Sequence, residues 1–244
     1  MTGSLAIVGL GPGTAAWRTA RAEEVVRDAE VVVGYGPYVD QCADLLRPEQ
    51  RIERGTMGAE EERATIALAE AAAGRRVALV SSGDAGIFGM AALALRAAAA
   101  LPEDERPAVE VVPGITAATA AAARLGAPLG DFATVSLSDV LEPWEKVEAR
   151  IAALAATDLA LALYNPRSRT REWQLGRARD VLAEHRDPAT PVALVTDVGR
   201  DDERIEHTTL ADLDPERVAM RTLVLVAGPT AEHVGPWLVT ARGR

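Results

Sequence analysis

Ser4-Leu-Ala-Ile-Val-Gly-Leu-Gly-Pro-Gly13 is an apolar run that breaks at once into a glycine-rich turn, and it decides how the chain is read. Ser4–Gly9 fits a buried parallel strand, because a strand covered on both faces is apolar at consecutive rather than alternate positions. Gly9, Gly11, Pro12 and Gly13 then punctuate, and the pattern becomes helical over 17–28. Strand, tight turn, helix is the opening of an α/β unit.

The alternation recurs. Strands are expected at 30–33, 76–80 and 109–112, with helices at 60–73, 90–101 and 115–125; Gly74 and Gly126 stand where helices stop. A charged loop covers 102–107. A second set follows, with strands at 133–137, 159–164, 192–196, 204–209 and 222–227 and helices at 143–155 and 171–185. Pro143 suits a first helical turn. Gly126-Ala-Pro-Leu-Gly130 reads as the link between two α/β domains, 1–127 and 128–244.

Composition narrows the function classes. The chain has 244 residues, a net charge of −10 and 48% hydrophobic residues, an ordinary globular balance without a basic field for nucleic acid. The longest uncharged apolar stretches fall short of the roughly 18 residues a membrane span needs, and no basic segment precedes the first strand, so a cytoplasmic protein without a signal peptide is expected. Cys42 is the single cysteine, which leaves no intrachain disulfide. No metal site is expected. Of the 26 basic residues only Lys146 is a lysine; arginine forks suit carboxylates, but a genome bias toward arginine is the preferred explanation of the count.

Three turns carry the chemistry. Gly9-Leu-Gly-Pro-Gly13 invites comparison with the dinucleotide fingerprint, but Thr14 stands where its third glycine belongs. Pro12 removes an N–H from the loop, and the second strand runs into Gly34-Tyr35 without an acidic ribose clamp. Ser81-Ser-Gly-Asp-Ala-Gly-Ile-Phe-Gly89 follows another apolar strand, with Asp84 able to accept hydrogen bonds from an amine or ribose, or to cap a helix. Val112-Pro-Gly-Ile-Thr-Ala117 ends the fourth strand, and Thr116 is a cap or a ligand contact. Three such turns after strands of one half suggest one small-molecule site lined by backbone.

Together these turns resemble the signatures of the tetrapyrrole methylase family: G-x-G-P-G, G-D-x-x-x-x-G and P-G-[IV]-[TS]-A, in order and over essentially the whole chain. The resemblance implies two α/β domains with a cofactor cleft between them, distinct from Rossmann-like methyltransferases, and S-adenosylmethionine as cofactor. Carried over residue by residue, the cofactor contacts fall on Pro12, Ser82, Gly83, Asp84, Ile87, Thr116 and Ala117, then on Asn165, Gly199 and Gly228. Val33-Gly-Tyr-Gly-Pro-Tyr-Val-Asp40, Ala85 in place of the usual proline, Val135-Ser-Leu-Ser-Asp139 and Leu163-Tyr-Asn-Pro166 are similar to the branch that methylates carbon 17 of precorrin-3B and contracts the ring to precorrin-4 in cobalamin synthesis. A C11 precorrin methylase, an anaerobic C17 enzyme acting on a cobalt-bearing precorrin-3, a nicotinamide oxidoreductase and a non-catalytic binding protein are the alternatives.

The branch usually carries His-Asp-Phe where this chain has Pro128-Leu-Gly-Asp-Phe132, so no role passes to that histidine, and Gly55-Thr-Met-Gly58 departs from the usual T-G-M order. For proton transfer during contraction the candidates are Asp139, Ser138, Tyr35 and Tyr38. A polyanionic tetrapyrrole needs local cations on an acidic protein, and Arg167, Arg169 and Arg171 are the candidates. The family resemblance also implies a homodimer.

Overall fold

The computed structural model describes residues 3–241 and divides the chain into two compact units, Met1–Ala117 and Ala118–Arg244. In the first, β1 (Ser4–Gly9), β2 (Val31–Tyr35), β3 (Arg51–Gly55), β4 (Arg76–Ser81) and β5 (Ala108–Val112) form one sheet in the order β3-β2-β4-β1-β5. Every pairing in it is parallel. All five strands therefore end at the same edge.

Alternation along the strands sends side chains to two helical layers. Leu5 and Ile7 of β1 pack with Val77 and Leu79 against α3 (Glu60–Ala72) and α4 (Ala91–Ala99). Ala6 and Val8 pack on the other face with Ala22 and Val26 of α1 (Ala20–Asp28) and Val39 of α2 (Gly36–Gln41). Burying each such Leu, Ile or Val contributes about 1.5–3 kcal/mol. Cys42 lies in this second layer, where burial pushes its thiol up to about 11 and keeps it protonated at neutral pH. Neighbouring strands β1 and β4 thus send their chains to opposite faces, α1 to one and α4 to the other. That divergence opens a crevice at the carboxyl edge between them, the place where open α/β sheets bind ligands.

The second unit starts with α5 (Ala117–Leu125), whose first residue closes the first unit, and has a mixed sheet in the order β10-β9-β11-β8-β7. These strands are β7 (Phe132–Ser136), β8 (Ala160–Tyr164), β9 (Pro191–Thr196), β10 (Arg204–Thr209) and β11 (Thr222–Val226). Strands β7 and β8 are parallel, while β11 runs antiparallel to both β8 and β9. The ends of β7, β8 and β9 and the start of β11 consequently share one edge. Helices α6 (Trp144–Ala155) and α7 (Gln174–Ala183) cover the sheet through Val147, Ile151, Leu175 and Leu182.

The class expected from the alternating pattern is the one observed, with local differences. The helix expected over 17–28 begins only at Ala20, because the Thr19 side chain accepts the Ala22 N–H as an N-cap and Ala15–Trp17 form a separate 3-10 turn. The helix expected from 171 starts at Gln174, since Ser168 and Arg171 pair their backbones in a tight bridge. Strand β3 carries the sequence Arg-Ile-Glu-Arg-Gly and sits at an edge, so no apolar run announces it. Segment 126–130, expected as a link, opens with strand β6 (Gly126–Ala127), which pairs with β13 (Trp237–Thr240) of the hairpin it makes with β12 (Ala231–Val234). No described helix is long and apolar enough to cross a membrane.

One buried cation organises the second unit's far end. Arg186 has no acidic partner among the described residues; its guanidinium donates to the carbonyls of Leu159 (2.8 Å), Ala227 (3.1 Å) and Leu154 (3.3 Å), with longer bonds to Ala155 and Thr157. Two of these are the orphan carbonyls that end α6. Burial holds its pKa below the ordinary arginine value. Replacing it by methionine leaves those carbonyls unsatisfied, so Arg186→Met is expected to cost about 2–3 kcal/mol, read as a lower midpoint in urea unfolding at unchanged slope.

Candidate functional site

Gly9, Gly83 and Gly114 bring the ends of β1, β4 and β5 together. A Cβ added at Gly9 would lie 2.7 Å from the Gly83 oxygen and 2.8 Å from the Gly114 nitrogen, and one at Gly114 would run into that same oxygen. No other residue type fits either position. The first two turns then pair directly. Gly11 N–H donates to Gly83 O at 3.0 Å and Gly83 N–H to Gly11 O at 2.7 Å, with both glycines at positive φ, where other residues are strained.

Asp84 stitches in the third turn. Its Oδ1 accepts the Gly86 N–H at 2.8 Å and its Oδ2 the Gly114 N–H at 3.0 Å. The carboxylate read from sequence as a ligand acceptor or a helix cap is thus first a brace between turns; each oxygen keeps a second lone pair for a ligand. Ser82 Oγ donates to Gly11 O at 3.3 Å. Pro12 is buried at the bend, while Ile87, Thr116 and Ala117 are half-buried. Five of the seven first-unit cofactor positions therefore lie on the first two turns, which are joined by backbone hydrogen bonds, and Thr116 and Ala117 continue the third turn, tied in by Asp84, into α5.

The expectations passed over two side chains here. Gln41, at the end of α2, donates its Nε2 to Gly11 O at 2.8 Å and to Gly13 O at 2.9 Å, holding the first turn open around Pro12. Ser81 Oγ is buried with no hydrogen-bond partner among the described residues. No spacing marks Gln41; Ser81 lies inside the second motif, but nothing in a sequence says which of two serines is orphaned. Tyr35 and Tyr38 follow β2 to the same edge, their rings meeting edge to face at 5.2 Å.

In the second unit the structure gathers Ser138, Asp139, Asn165, Gly199 and Arg171 at the edge where β7, β8 and β9 end. Asn165, at φ 52°, donates its Nδ2 to Ser136 Oγ at 2.9 Å, and the same oxygen accepts the Ser138 N–H at 3.2 Å. Asp139 Oδ2 accepts the Nε2 of Gln174 at 2.8 Å. Gln174 is 2% exposed and its Oε1 is buried without a partner among the described residues. Gly199 donates its N–H to Glu203 Oε2 at 2.6 Å, and Glu203 pairs with Arg124 at 3.0 Å. Gly228 is not brought there. It follows β11, which runs the other way, and its Cβ would press on the carbonyl of Asp158 at the start of β8. A full strand length separates it from Asn165.

The three arginines differ. Arg167 is engaged internally, with Pro215 O at 2.9 Å and Glu216 at 2.8 Å. Arg169 is exposed. Arg171 is 8% exposed; its Nε donates to Asn165 O at 3.0 Å, and it forms no ion pair among the described residues. Burial lowers its pKa, opposed by the charge of Asp139. Among the described residues no group of three or more His, Cys, Asp or Glu is placed to hold a metal.

Similarity to known proteins agrees with this geometry. The family model for tetrapyrrole (corrin/porphyrin) methylases matches residues 4–214. A probable cobalt-factor III C(17)-methyltransferase of Salmonella typhimurium is 44% identical over 240 residues, 98% of either chain. A precorrin-3B C(17)-methyltransferase of Sinorhizobium sp is 43% identical over 96% of this chain and 92% of its own. The crystal structure of the methyltransferase CobJ superposes with a TM-score of 0.94 at 40% identity, covering 98% of this chain and 100% of that one. With three interlocked glycine turns at one sheet edge and a family match over most of its length, the chain belongs to the tetrapyrrole methylases.

Proposed function

We propose that the protein transfers a methyl group from S-adenosylmethionine to carbon 17 of precorrin-3B and contracts the macrocycle to precorrin-4. The observation that carries this reading is the Gly9–Gly83–Gly114 contact braced by Asp84, in a chain 43–44% identical to two C(17)-methyltransferases. The residues suit the cofactor. The orphaned Ser81 hydroxyl and the spare lone pairs of Asp84 offer polar partners, and the open space beside Gly83 allows close backbone approach. Pro12, Ser82, Gly83, Asp84, Ile87, Thr116 and Ala117 are its proposed contacts, joined by Asn165 and Gly199. Gly228 is left out because it lies at the far edge of its sheet.

When bound, the cofactor supplies an electrophilic methyl on sulfonium. The electron-rich macrocycle carbon is the nucleophile, so the chain needs no covalent intermediate and contributes orientation. Contraction requires a proton to leave a hydroxyl on the ring. Asp139, held by Gln174, is the proposed acceptor; Ser138, Tyr35 and Tyr38 are the other candidates. Arg169 and Arg171 are proposed to meet the substrate's carboxylates, whereas Arg167 is already neutralised by Glu216. The working form is a cytoplasmic homodimer. A cobalt-bearing macrocycle is a second substrate reading, favoured by the equal similarity to the cobalt-factor III enzyme.

Three outcomes test this. Gly114→Ala forces the Gly83 carbonyl away, which is expected to cost about 1–3 kcal/mol and to abolish calorimetric binding of S-adenosylhomocysteine. Asp84→Ala is expected to weaken that binding about tenfold or more, a loss of about 1.4 kcal/mol. Incubation with methyl-labelled cofactor and precorrin-3B, or its cobalt counterpart, is expected to yield one labelled methyl at carbon 17 by mass spectrometry and NMR. A label at carbon 11, or none with either substrate, contradicts the assignment.

A further inference from the structure

Beside the Asp139–Gln174 hydrogen bond the second unit exposes three large apolar side chains: Val140 (77% exposed), Leu141 (94%) and Trp173 (54%). Such residues are unremarkable when scattered; grouped, they mark a ligand or partner surface. These three are grouped, because segment 139–144 is tied to the start of α7 at two points. Asp139 accepts from Gln174, and the Trp144 and Trp173 rings meet edge to face with centroids 5.0 Å apart. Trp144 is itself pinned by its indole N–H to Glu148 at 2.7 Å. Trp173 is therefore half exposed yet held in orientation, so little side-chain freedom is left to lose on binding.

Three of the five acids around it are already engaged. Glu142 is neutralised by Arg150, Glu148 by Arg177, and Asp139 is engaged by Gln174; Glu145 and Glu172 are exposed. Arg171, two residues from Trp173 in sequence, is nine-tenths buried and forms no ion pair among the described residues; the acid whose charge acts on it, Asp139, is engaged by Gln174, and Arg169 is exposed. An exposed ring two residues from a buried guanidinium that forms no ion pair fits a flat hydrophobic body with acids on its rim. A second copy of the chain fits less well. Stable protein contacts bury roughly 1,200–2,000 Å² in all, more than three side chains provide, and would leave Arg171 desolvated and unpaired.

We propose that Trp173, with Val140 and Leu141, is the platform on which the carboxylated macrocycle lies, one of its acidic groups reaching Arg171. This rests on the substrate class proposed above. In such a pose the ring stacks on or against the indole, and the terminal nitrogens of Arg171 take a carboxylate in a bidentate fork. Trp173 is then a specificity-determining residue, and the solvent-facing apolar pair at 140–141 is ordered by its ligand.

The full-length protein is titrated with uroporphyrin III, a stable carboxylated tetrapyrrole, followed by the porphyrin's own absorbance, with S-adenosylhomocysteine binding and molar mass measured in parallel. Trp173→Ala and the double variant Val140→Ser/Leu141→Ser are expected to raise the porphyrin Kd about tenfold, while Trp173→Phe retains most of the affinity. Adding Arg171→Met to Trp173→Ala weakens binding further. Binding of S-adenosylhomocysteine stays as in the wild type in Trp173→Ala, Trp173→Phe and Val140→Ser/Leu141→Ser, which separates a lost platform from a misfolded chain. Unchanged porphyrin affinity in both apolar variants overturns the proposal, as does their conversion of a dimer to a monomer, which assigns the patch to a second copy. If the wild type binds the porphyrin nowhere, the platform falls; if it also fails to take up S-adenosylhomocysteine, the methyltransferase reading falls with it.

Discussion

The Gly83 carbonyl oxygen lies where a side chain on either Gly9 or Gly114 would have to go, and the first unit is arranged around that fact. Three strand ends can share a crevice this narrow only if nothing projects from their facing backbones. Once they do, the peptide groups of Gly11 and Gly83 pair in both directions, and the Gly114 N–H donates to the Asp84 carboxylate. The result is a loop cluster whose shape is set by backbone contact and scarcely by side chains. Such a surface admits a ligand closely and costs little reorganisation on binding, the condition under which orientation can serve catalysis. The parallel sheet supplies the other half of the constraint, because only parallel strands deliver all their carboxyl ends to one edge.

The second unit solves a related problem with a different sheet. Its strand β11 runs against its neighbours, so residues after β7, β8 and β9 collect at one edge while those after β11 go to the other. The edge that collects Asp139, Asn165 and Arg171 is polar and partly unsatisfied; the opposite edge is closed by Arg186 bonding to carbonyls. One arginine is thus fully engaged with backbone, while the other makes one side-chain bond, from its Nε to Asn165 O, among the described residues. Their equal burial in apolar surroundings conceals different roles, which only the partner list separates.

These distinctions mark how far the sequence is legible. The three glycine turns and their strands are readable because Gly at a positive φ or at a sub-van-der-Waals approach has no substitute, so the residue type carries the geometry. Pro12 and Thr14 exclude the dinucleotide loop for the same reason. Strand β3, α2 and the β12–β13 hairpin are not readable: each is short, at an edge or charged, and draws its stability from neighbours. Asp84 is legible as important but not as a brace, since both roles ask for the same carboxylate. Gly228 shows the opposite failure. A glycine after an apolar strand looks like a site residue until the strand's direction is known, and direction is a property of the whole sheet.

An acidic protein that handles a polycarboxylate must localise its positive charge. Here 36 acidic residues face 26 basic ones, and the arginines are for the most part matched to carboxylates on their own surface, among them Arg18 with Asp44, Arg21 with Glu110 and Arg150 with Glu142. Exposed pairs of this kind contribute about 0–1 kcal/mol each to stability, so their larger effect is to cancel the field. A cation left out of this matching is conspicuous, and one that is also nine-tenths buried is expensive to keep unless an anion arrives. Arg171 meets both conditions two residues from an exposed indole. Its charge is weakly screened by salt because water is largely excluded from it, so recognition here depends on contact and shape more than on long-range attraction. That is consistent with a chain whose overall charge repels its own substrate and whose binding must come from a small number of well-placed groups.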